Sequence, residues 1–241
     1  MIIDPAELDV ASNYKLLIGS VLPRPIAWVS TSSAAGVGNI APISFFTVVG
    51  RQPPVLSITL MPRSDGVTLK DTFINIRDTG EFVVNIASVA QVGVLNDSAY
   101  EFHWEADEFD EVGIAKAPCE TISVPRIAEA PISFECVLDR IIPMPPLPDH
   151  VVWGRVQKIH VRDDLYLPRG RIDTGALGAV GRLAAEYTAV DNIFTTPLPE
   201  DALTVLTAQR ARRLDGKESA FSPVDSENWT PSGSTAKDPR G

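Results

Sequence analysis

The sequence predicts a mainly β fold, a barrel or a sandwich, with a few peripheral α-helices. Six segments rich in Val, Ile and aromatic residues alternate with turns rich in Pro, Gly, Asn and Asp. Short strands with so many turn signals are typical of barrels and sandwiches, whereas a parallel sheet needs a helix between successive strands. The predicted strands are 25–31, 40–49, 54–61, 81–87, 131–142 and 150–163.

A helix that begins at an anion site is predicted in TLKDTFINIRDTG. Thr68 and Asp71 have the spacing of a capping box, and Gly80 stands where a C-cap glycine is expected. Lys70 lies in the first turn, and Arg63 precedes the helix. Cations at this end oppose the helix dipole unless an anion binds there. The pattern therefore points to a phosphate, with solvated surface charges as the alternative.

Two further helices and a polar tail complete the chain. Ser88 and Gln91 repeat the capping spacing in SVAQVGVLNDSA, which predicts a second helix, and a third is predicted at 177–187. From about residue 209 the chain is polar, aperiodic and rich in Ser, Pro and Gly. Such a tail is typical of disorder, or of a segment that drapes over a partner subunit.

Composition and charge narrow the class of protein. The chain has 241 residues and a formal net charge of −10, which argues against general binding to nucleic acids or anionic membranes, because both need a basic face. No apolar run reaches the roughly 18–20 residues of a membrane span. The start, MIIDPAELDV, lacks the basic and apolar regions of a signal peptide. We therefore expect a cytoplasmic protein.

Side-chain chemistry alone gives little support for catalysis. Cys119 and Cys136 have no CxxC context, so we expect two buried thiols. His103, His150 and His160 are far apart in sequence, and no metal site is predicted. His150 is the exception among the three as a candidate site residue, because it begins a strand after a Pro-rich loop. A cofactor that carries the chemistry fits these observations better than an acid–base or nucleophilic site.

Eight stretches of the chain, taken together and in order, carry a family resemblance. They are RPIAWVST (24–31), NIAPISFF (39–46), KDTFINI (70–76), EFVVNIA (81–87), DEFDEVGI (107–114), APISFEC (130–136), DHVVWGRV (149–156) and GRLAAEY (181–187). The ordered set resembles the flavin reductase-like family of FMN-binding split-barrel proteins, over roughly residues 10–198.

The resemblance implies a six-stranded Greek-key split barrel. It also implies a homodimer with FMN, or less commonly FAD, near the subunit interface. On this basis residues 1–198 form the flavin reductase-like domain. Residues 199–241 are a C-terminal extension that is partly disordered or packs on the partner subunit.

The resemblance also implies which residues bind the flavin. The segment 39–46 runs along the isoalloxazine, and the segments around residues 63 and 70 bind the phosphate, in agreement with the helix-start argument. The implied cofactor-binding residues are Trp28, Asn39, Ala41, Pro42, Ser44, Phe45, Phe46, Arg63, Lys70, Asp71, Thr72, Arg182 and Tyr187. His150 matches a position near the flavin and the incoming nicotinamide. From the residues themselves, Asp71 is better explained as the cap partner of Thr68, and Trp28 as a residue packed in the barrel.

One motif departs from the family pattern. Arg182 and Tyr187 match a C-terminal motif that usually reads Arg-Leu-Gly-Gly, whereas Ala184 and Ala185 replace the two glycines here. If the glycines permit close backbone approach, the two added methyl groups narrow the pocket or shift the local backbone.

The function implied is an NAD(P)H-dependent FMN reductase. Hydride passes from the nicotinamide to flavin N5, and the reduced flavin serves a partner oxygenase or another electron acceptor. The alternative is an FMN-binding electron carrier or flavin-storage protein without NAD(P)H turnover. A third interpretation is a split-barrel scaffold that has lost its flavin, and the retained Ser44, Arg63 and Lys70 argue against it.

Overall fold

The structure, a computed structural model, describes residues 1–168 and 170–191. Its strands are β1 (Arg24–Pro25), β2 (Ala27–Ser32), β3 (Gly38–Ile43), β4 (Phe46–Arg51), β5 (Pro54–Leu60), β6 (Glu81–Ile86), β7 (Lys116–Ala117), β8 (Arg126–Ile127), β9 (Ile132–Pro143), β10 (His150–Val161), β11 (Tyr166–Leu167), β12 (Arg171–Ile172), β13 (Val180–Arg182) and β14 (Tyr187–Ala189). Its α-helices are α1 (Val10–Ser20), α2 (Asp71–Thr79), α3 (Val92–Asp97), α4 (Glu108–Glu111) and α5 (Thr174–Leu177). Short 3₁₀ helices lie at Pro5–Glu7, Val89–Gln91 and Asp163–Leu165. None of the described helices combines the length and apolar character needed to cross a bilayer.

A seven-stranded antiparallel sheet dominates the fold, in the order β3-β2-β6-β9-β10-β5-β4. Its two edge strands, β3 and β4, are consecutive in sequence and are joined only by Ser44 and Phe45. Because the chain advances at most about 3.8 Å per residue, the Cα atoms of Ile43 and Phe46 lie within about 11 Å of each other. The sheet therefore curls until its edges approach. Within the described residues no β3–β4 ladder closes the ring.

The concave face of this curled sheet encloses one apolar core, to which every strand of the sheet contributes. Helix α2 adds Phe73 and Ile76 to it. The core comprises Ala27, Val29, Ile43, Leu56, Ile58, Leu60, Phe73, Ile76, Phe82, Val84, Cys136 and Val152, with Phe46 packed against it. Side chains alternate along β2, so Trp28 points to a second cluster on the convex face, beneath α3 and α4.

Most predicted strands are confirmed to within two residues, but the strand predicted at 40–49 is wrong. The chain forms β3 up to Ile43 and β4 from Phe46, and these strands lie at opposite edges of the sheet. This break raises the count in the sheet from the expected six strands to seven. An apolar segment that leaves one edge and enters the other looks like one continuous strand, because Ile43 at the end of β3 and Phe46 at the start of β4 pack against the same core.

The helix predictions have mixed outcomes. The second helix is confirmed as a 3₁₀ turn followed by α3, and the Ser88 N–H donates to Gln91 Oε1 at 3.0 Å. The helix predicted at 177–187 is wrong: α5 ends at Leu177, Gly178 adopts a left-handed φ of 55°, and the chain continues into the hairpin β13–β14. Helix α1 was not predicted, since only Ile18 of its residues is buried.

The described chain forms one compact unit, Met1–Asp191. The domain boundary predicted at residue 198 and the extension 199–241 lie outside the described residues, so both stay predictions.

Candidate functional site

The site is built around the start of α2, which no side chain caps. Lys70 precedes the helix in an extended conformation, with φ −69° and ψ 148°, and makes no capping hydrogen bond. The Phe73 N–H donates to the Lys70 carbonyl at 2.9 Å. For the N–H groups of Asp71 and Thr72, the described part of the chain offers no acceptor. Two amide donors at the positive end of the helix dipole are therefore available to an anion.

The predicted pairing of Thr68 with Asp71 is wrong. The Thr68 hydroxyl and N–H donate to Asp65, which closes a tight turn before the helix. The Asp71 carboxylate instead forms an ion pair with Arg63, whose Nη1 also donates to the Phe102 carbonyl at 3.2 Å. A local acceptor three residues upstream thus satisfies Thr68, and a more distant cation satisfies Asp71.

The two cations of the predicted phosphate site differ in their surroundings. Arg63 is held by Asp71, so much of its charge is neutralised. Lys70 forms no ion pair with any residue that the structure describes. Of these two cations, Lys70 is therefore the one whose charge is available to a ligand.

A buried polar network fixes α2 against β2 and β3. Asn39 Oδ1 accepts from Thr72 Oγ1 at 2.9 Å and from Thr31 Oγ1 at 3.1 Å. Asn75 Nδ2 donates to Thr31 Oγ1 at 3.0 Å. All four side chains are at most 7% exposed, so their hydrogen bonds form away from water. The hydroxyl of Thr72 is thereby committed to Asn39, and only its backbone N–H remains for a phosphate.

Two adjoining pockets bring the predicted flavin residues together. The helix-start pocket, of about 60 Å³, is lined by Asn39, Ala41, Pro42, Arg63, Lys70, Asp71, Thr72, Ser98, Ala99, Tyr100, Glu101, Phe102 and Glu108. The Ser44 pocket, of about 220 Å³, is lined by Tyr14, Arg24, Ile26, Pro42, Ile43, Ser44, Phe45, Thr59, Met61, Lys70, Asn96, Ala99, Arg182, Ala184 and Tyr187. They share Pro42, Lys70 and Ala99. Of the thirteen predicted cofactor-binding residues, all but Trp28 and Phe46 line one or both.

Arg24 is a site residue that the sequence argument missed. Its side chain lies in the wall of the Ser44 pocket, and the residue is only 5% exposed. Its Nε donates to Ser44 Oγ at 3.3 Å, while Nη1 and Nη2 donate to the carbonyls of Ile18 and Leu183 at 2.6 and 2.7 Å. One guanidinium thus ties three segments around Ser44. Burial lowers the pKa of Arg24.

The C-terminal motif reaches the same pocket through the hairpin β13–β14. The guanidinium of Arg182 lies 4.5 Å from the centre of the Tyr187 ring, a cation–π contact. The Tyr187 hydroxyl donates to Asn96 Oδ1 at 3.2 Å. Ala184, one of the two alanines that replace the family glycines, lines the pocket as well.

Three predicted residues lie away from both pockets. Trp28 is fully buried on the convex face, where its Nε1 donates to Ser98 Oγ at 2.9 Å. Phe46 begins β4 and packs against the interior core. His150 begins β10 as expected, with its ring centre 4.2 Å from that of Phe73. Their roles toward a flavin stay predictions.

A larger cleft adjoins the helix-start pocket. It measures about 480 Å³ and lies between the β2–β3 hairpin, α2 and the segment 102–106. Glu108, which lines both cavities, is 6% exposed and accepts the Ile40 N–H at 2.8 Å. Burial raises the pKa of Glu108 to about 7, although the hydrogen bonds from Ile40 and Asn39 oppose the shift. This cleft was not predicted from the sequence.

Comparison with known proteins defines the class. Residues 18–176 match the flavin reductase like domain, so the chain belongs to this family. Among solved structures, nitrilotriacetate monooxygenase component B from Bacillus cereus superposes with a TM-score of 0.77 at 35% identity, covering 81% of this chain and 98% of that one. The 2-nitrobenzoate 2-nitroreductase of Pseudomonas fluorescens has a TM-score of 0.74 at 30% identity, covering 83% and 97% of the two chains.

Sequence relatives span nearly the same length. An uncharacterised protein of Halalkalibacterium halodurans is 41% identical over 205 residues, which cover 83% of this chain and 97% of that protein. A second uncharacterised protein, from Aquifex aeolicus, is 41% identical over 181 residues, or 75% of this chain and 91% of its own. A solved split-barrel protein of Shewanella frigidimarina, at 17% identity and a TM-score of 0.71, supports the fold alone.

Proposed function

We propose that this protein binds FMN and acts as an NAD(P)H-dependent flavin reductase. The observation that carries the proposal is the pair of adjoining pockets, which join free amides and a cation at the start of α2 to Ser44 and Phe45. Two relatives at 30% identity or more are named as a monooxygenase component and a nitroreductase, and both names fit a flavin site in the family. When bound, FMN would accept hydride at its N5 and pass the electrons on.

The start of α2 fits the phosphate end of the cofactor. The N–H groups of Asp71 and Thr72 would donate to phosphate oxygens, and Lys70 would supply the neutralising charge. Arg63 lies beside them, held by its ion pair with Asp71, and its guanidinium would offer further N–H donors to the phosphate. Since Asp71 is anionic, its side chain positions Arg63 and its backbone serves the ligand.

The Ser44 pocket fits the ring end. Arg24 holds Ser44 in place from a buried position, so the short link between β3 and β4 is rigid where a flat ring would lie. Tyr14 and Phe45, whose ring centres are 6.2 Å apart, line the pocket and would cover part of a bound ring. The protein would therefore position the cofactor and exclude solvent, with no side chain acting as a general acid.

A homodimer and an electron acceptor belong to the same proposal. Helix α1, the residue that follows it and strand β4 flank the Ser44 pocket and expose apolar side chains, among them Leu17 at 57%, Val21 at 61% and Val48 at 68%. Exposed apolar groups of this kind mark interaction surfaces, and among the strands that the structure describes β4 is an edge of the sheet. A second copy would cover this surface and close the pocket.

The deciding experiment is an anaerobic titration of the FMN-loaded protein with NADH and with NADPH. We expect at least one of them to remove the visible absorbance of oxidised flavin within seconds. If neither nicotinamide does so while dithionite does, the electron-carrier alternative replaces the reductase. A protein with no flavin affinity up to about 100 µM, equivalent to about −5.5 kcal/mol, would contradict both.

The phosphate assignment is tested by comparing FMN with riboflavin, which lacks the phosphate. Lys70→Ala should raise the Kd for FMN by about 10- to 100-fold, the range of one charge-assisted hydrogen bond, and leave riboflavin unaffected. Arg63→Ala should have the smaller effect on FMN, because Asp71 already neutralises Arg63. Lys158→Ala, at an exposed lysine on β10, is the matched control. Equal losses for the two ligands would refute the assignment.

A further inference from the structure

Three side chains of different chemistry come together outside the flavin pockets. Glu135 on β9 and His160 on β10 lie two register positions apart on neighbouring strands, and Cys119 comes from the segment between β7 and β8. One ligand atom from each, the thiol sulfur, a carboxylate oxygen and an imidazole nitrogen, lies within 4.8 Å of the other two. None of the three lines the flavin pockets or the adjoining cleft.

The carboxylate at the centre of this group is already oriented. Glu135 is fully buried, and its Oε2 accepts from the Thr121 hydroxyl and from the Thr121 N–H at 2.8 Å. Its Oε1 accepts from the Glu120 N–H at 2.7 Å and contacts His160 Nε2 at 2.5 Å. Carboxylates that ligate metals are typically oriented by hydrogen bonds of this kind.

Cys119 is a poor nucleophile in this setting. Burial and the neighbouring Glu135 charge raise the pKa of its thiol to about 12. A redox role needs a thiolate at neutral pH, which these surroundings suppress. The Cys119 sulfur nevertheless lies within 4.8 Å of the carboxylate oxygen and the imidazole nitrogen, which is close enough for one ion to contact all three groups.

We propose that Cys119, Glu135 and His160 form a Zn²⁺ site in which water completes a tetrahedron. Sulfur, imidazole nitrogen and carboxylate oxygen are the ligands that zinc takes in proteins, and three protein ligands plus water is a common set. Binding forms the zinc–sulfur bond, breaks the S–H bond and releases the proton to solvent. The imidazole binds as the neutral ring.

The site needs one adjustment. Ligand atoms at about 2.0 Å from a tetrahedral metal lie about 3.3 Å from each other, so the His160–Glu135 contact of 2.5 Å must widen. His160 lies on the solvent side, with 24% of its side chain exposed, and can move outward without disturbing Glu135. Zinc would then replace one hydrogen bond and fasten the Cys119 segment to β9 and β10.

The test is calorimetric titration of the purified, metal-stripped protein with ZnCl₂ in buffers of different ionisation enthalpy. We expect one Zn²⁺ per chain, about one proton released from the thiol, and a higher melting temperature with zinc. Co²⁺ in place of zinc should add a thiolate-to-metal charge-transfer band to the difference spectrum. Cys119→Ser should abolish this band and weaken zinc binding by about 100-fold or more.

Two variants make the result specific. His160→Gln should weaken zinc binding by about 10- to 100-fold or more. His103→Ala is the control, because His103 lies 3.7 Å from Glu105 in an exposed histidine–carboxylate pair without a cysteine. The melting temperature without metal shows whether each variant folds. Zinc binding that survives Cys119→Ser unchanged, or no zinc binding by the wild type, would leave only the Glu135–His160 hydrogen bond and overturn the proposal.

Discussion

At the scale of single residues, Glu108 combines burial with a carboxyl group that stays protonated to unusually high pH. It covers the outer edge of β3 by accepting the Ile40 N–H, while its neighbour Asp107 accepts the Gly38 N–H at 3.0 Å. Lys116 pairs with Asp107 and helps to lower its pKa, despite partial burial, whereas burial raises the pKa of Glu108 to about 7. The two adjacent carboxylates thus have opposite shifts because Glu108 is the more deeply buried and Asp107 has the ion pair with Lys116.

This contrast predicts a pH-dependent stability. The Glu108 carboxyl titrates near 4.5 when unfolded and near 7 when folded, so between these values the folded state holds more protons. The free energy of unfolding should therefore fall by up to about 3 kcal/mol as the pH rises through this window, and level off above it. Urea unfolding at a series of pH values measures it.

Glu108→Gln should remove most of this slope, because an amide does not titrate in this range. Its oxygen can still accept the Ile40 N–H, so the local structure is kept. Glu111→Gln, at an exposed glutamate of the same helix α4, should keep it. Carboxyls whose pKa is lowered, Asp107 and Glu135, act in the opposite direction and only below about pH 4.5. A slope that is unchanged in Glu108→Gln would show that another group titrates in the window.

Most of the residues predicted to bind a flavin line the two adjoining pockets, whereas the residues that support them were not predicted. Lys70 and Ser44 belong to recognisable stretches, and the structure brings both to the pocket walls. Two supporting residues are Arg24, which ties three segments together, and Glu108, which caps β3. Most of their hydrogen bonds join residues more than 15 positions apart in the sequence. Such roles depend on tertiary packing, so a local sequence pattern does not predict them.

At the scale of secondary structure, α2 shows which helix signals are local enough to be predicted. Its C-terminus is confirmed at Gly80, which adopts a left-handed φ of 74° and donates its N–H to the Ile76 carbonyl. Its N-terminus was placed wrongly, because Asp65 and Arg63 compete for the two expected cap partners. A glycine C-cap depends on one residue's backbone, whereas a capping box depends on what else its side chains can reach.

Alanine substitutions at two glycines with open surroundings test the effect of backbone conformation without a change in packing. A Cβ added at Gly80 or at Gly93 would meet no atom within 4 Å. Gly80→Ala should lower the free energy of unfolding by about 1–2 kcal/mol, because its φ is positive. Gly93→Ala, inside α3, should raise it by up to about 1 kcal/mol through helix propensity. Chemical denaturation that shifts both variants in the same direction would contradict this account.

At the scale of the whole molecule, the proposed dimer predicts that assembly and cofactor binding fail together. Val48→Glu places a charge on the exposed edge strand β4 beside the Ser44 pocket, and should shift the protein toward monomer while weakening FMN binding by about 10-fold or more. Analytical ultracentrifugation and flavin titration measure the two effects. Ile159→Glu, which charges an equally apolar position on β10 that is 56% exposed, should change neither. A Val48→Glu protein that is dimeric like the wild type would refute this surface.

The mainly β class was predictable because hydrophobic alternation and turn residues are local. Sheet topology was not: the order of the seven strands depends on pairings between residues as far apart as β2 and β6, or β5 and β10. The break at Ser44 is the instructive failure. Both flanking strands pack against one core, so the residue pattern does not distinguish them. They are two strands because the chain passes from one sheet edge to the other at this point.

The two-residue link between β3 and β4 has a consequence for the order of folding. Hairpins β2–β3 and β4–β5 are local in sequence, so each can form early with little loop-closure cost. They are tethered through Ser44 and Phe45, yet they can take their places at opposite edges only when β6, β9 and β10 insert between β2 and β5. We expect the two hairpins to gain protection from hydrogen exchange first, and the central strands to set the folding rate.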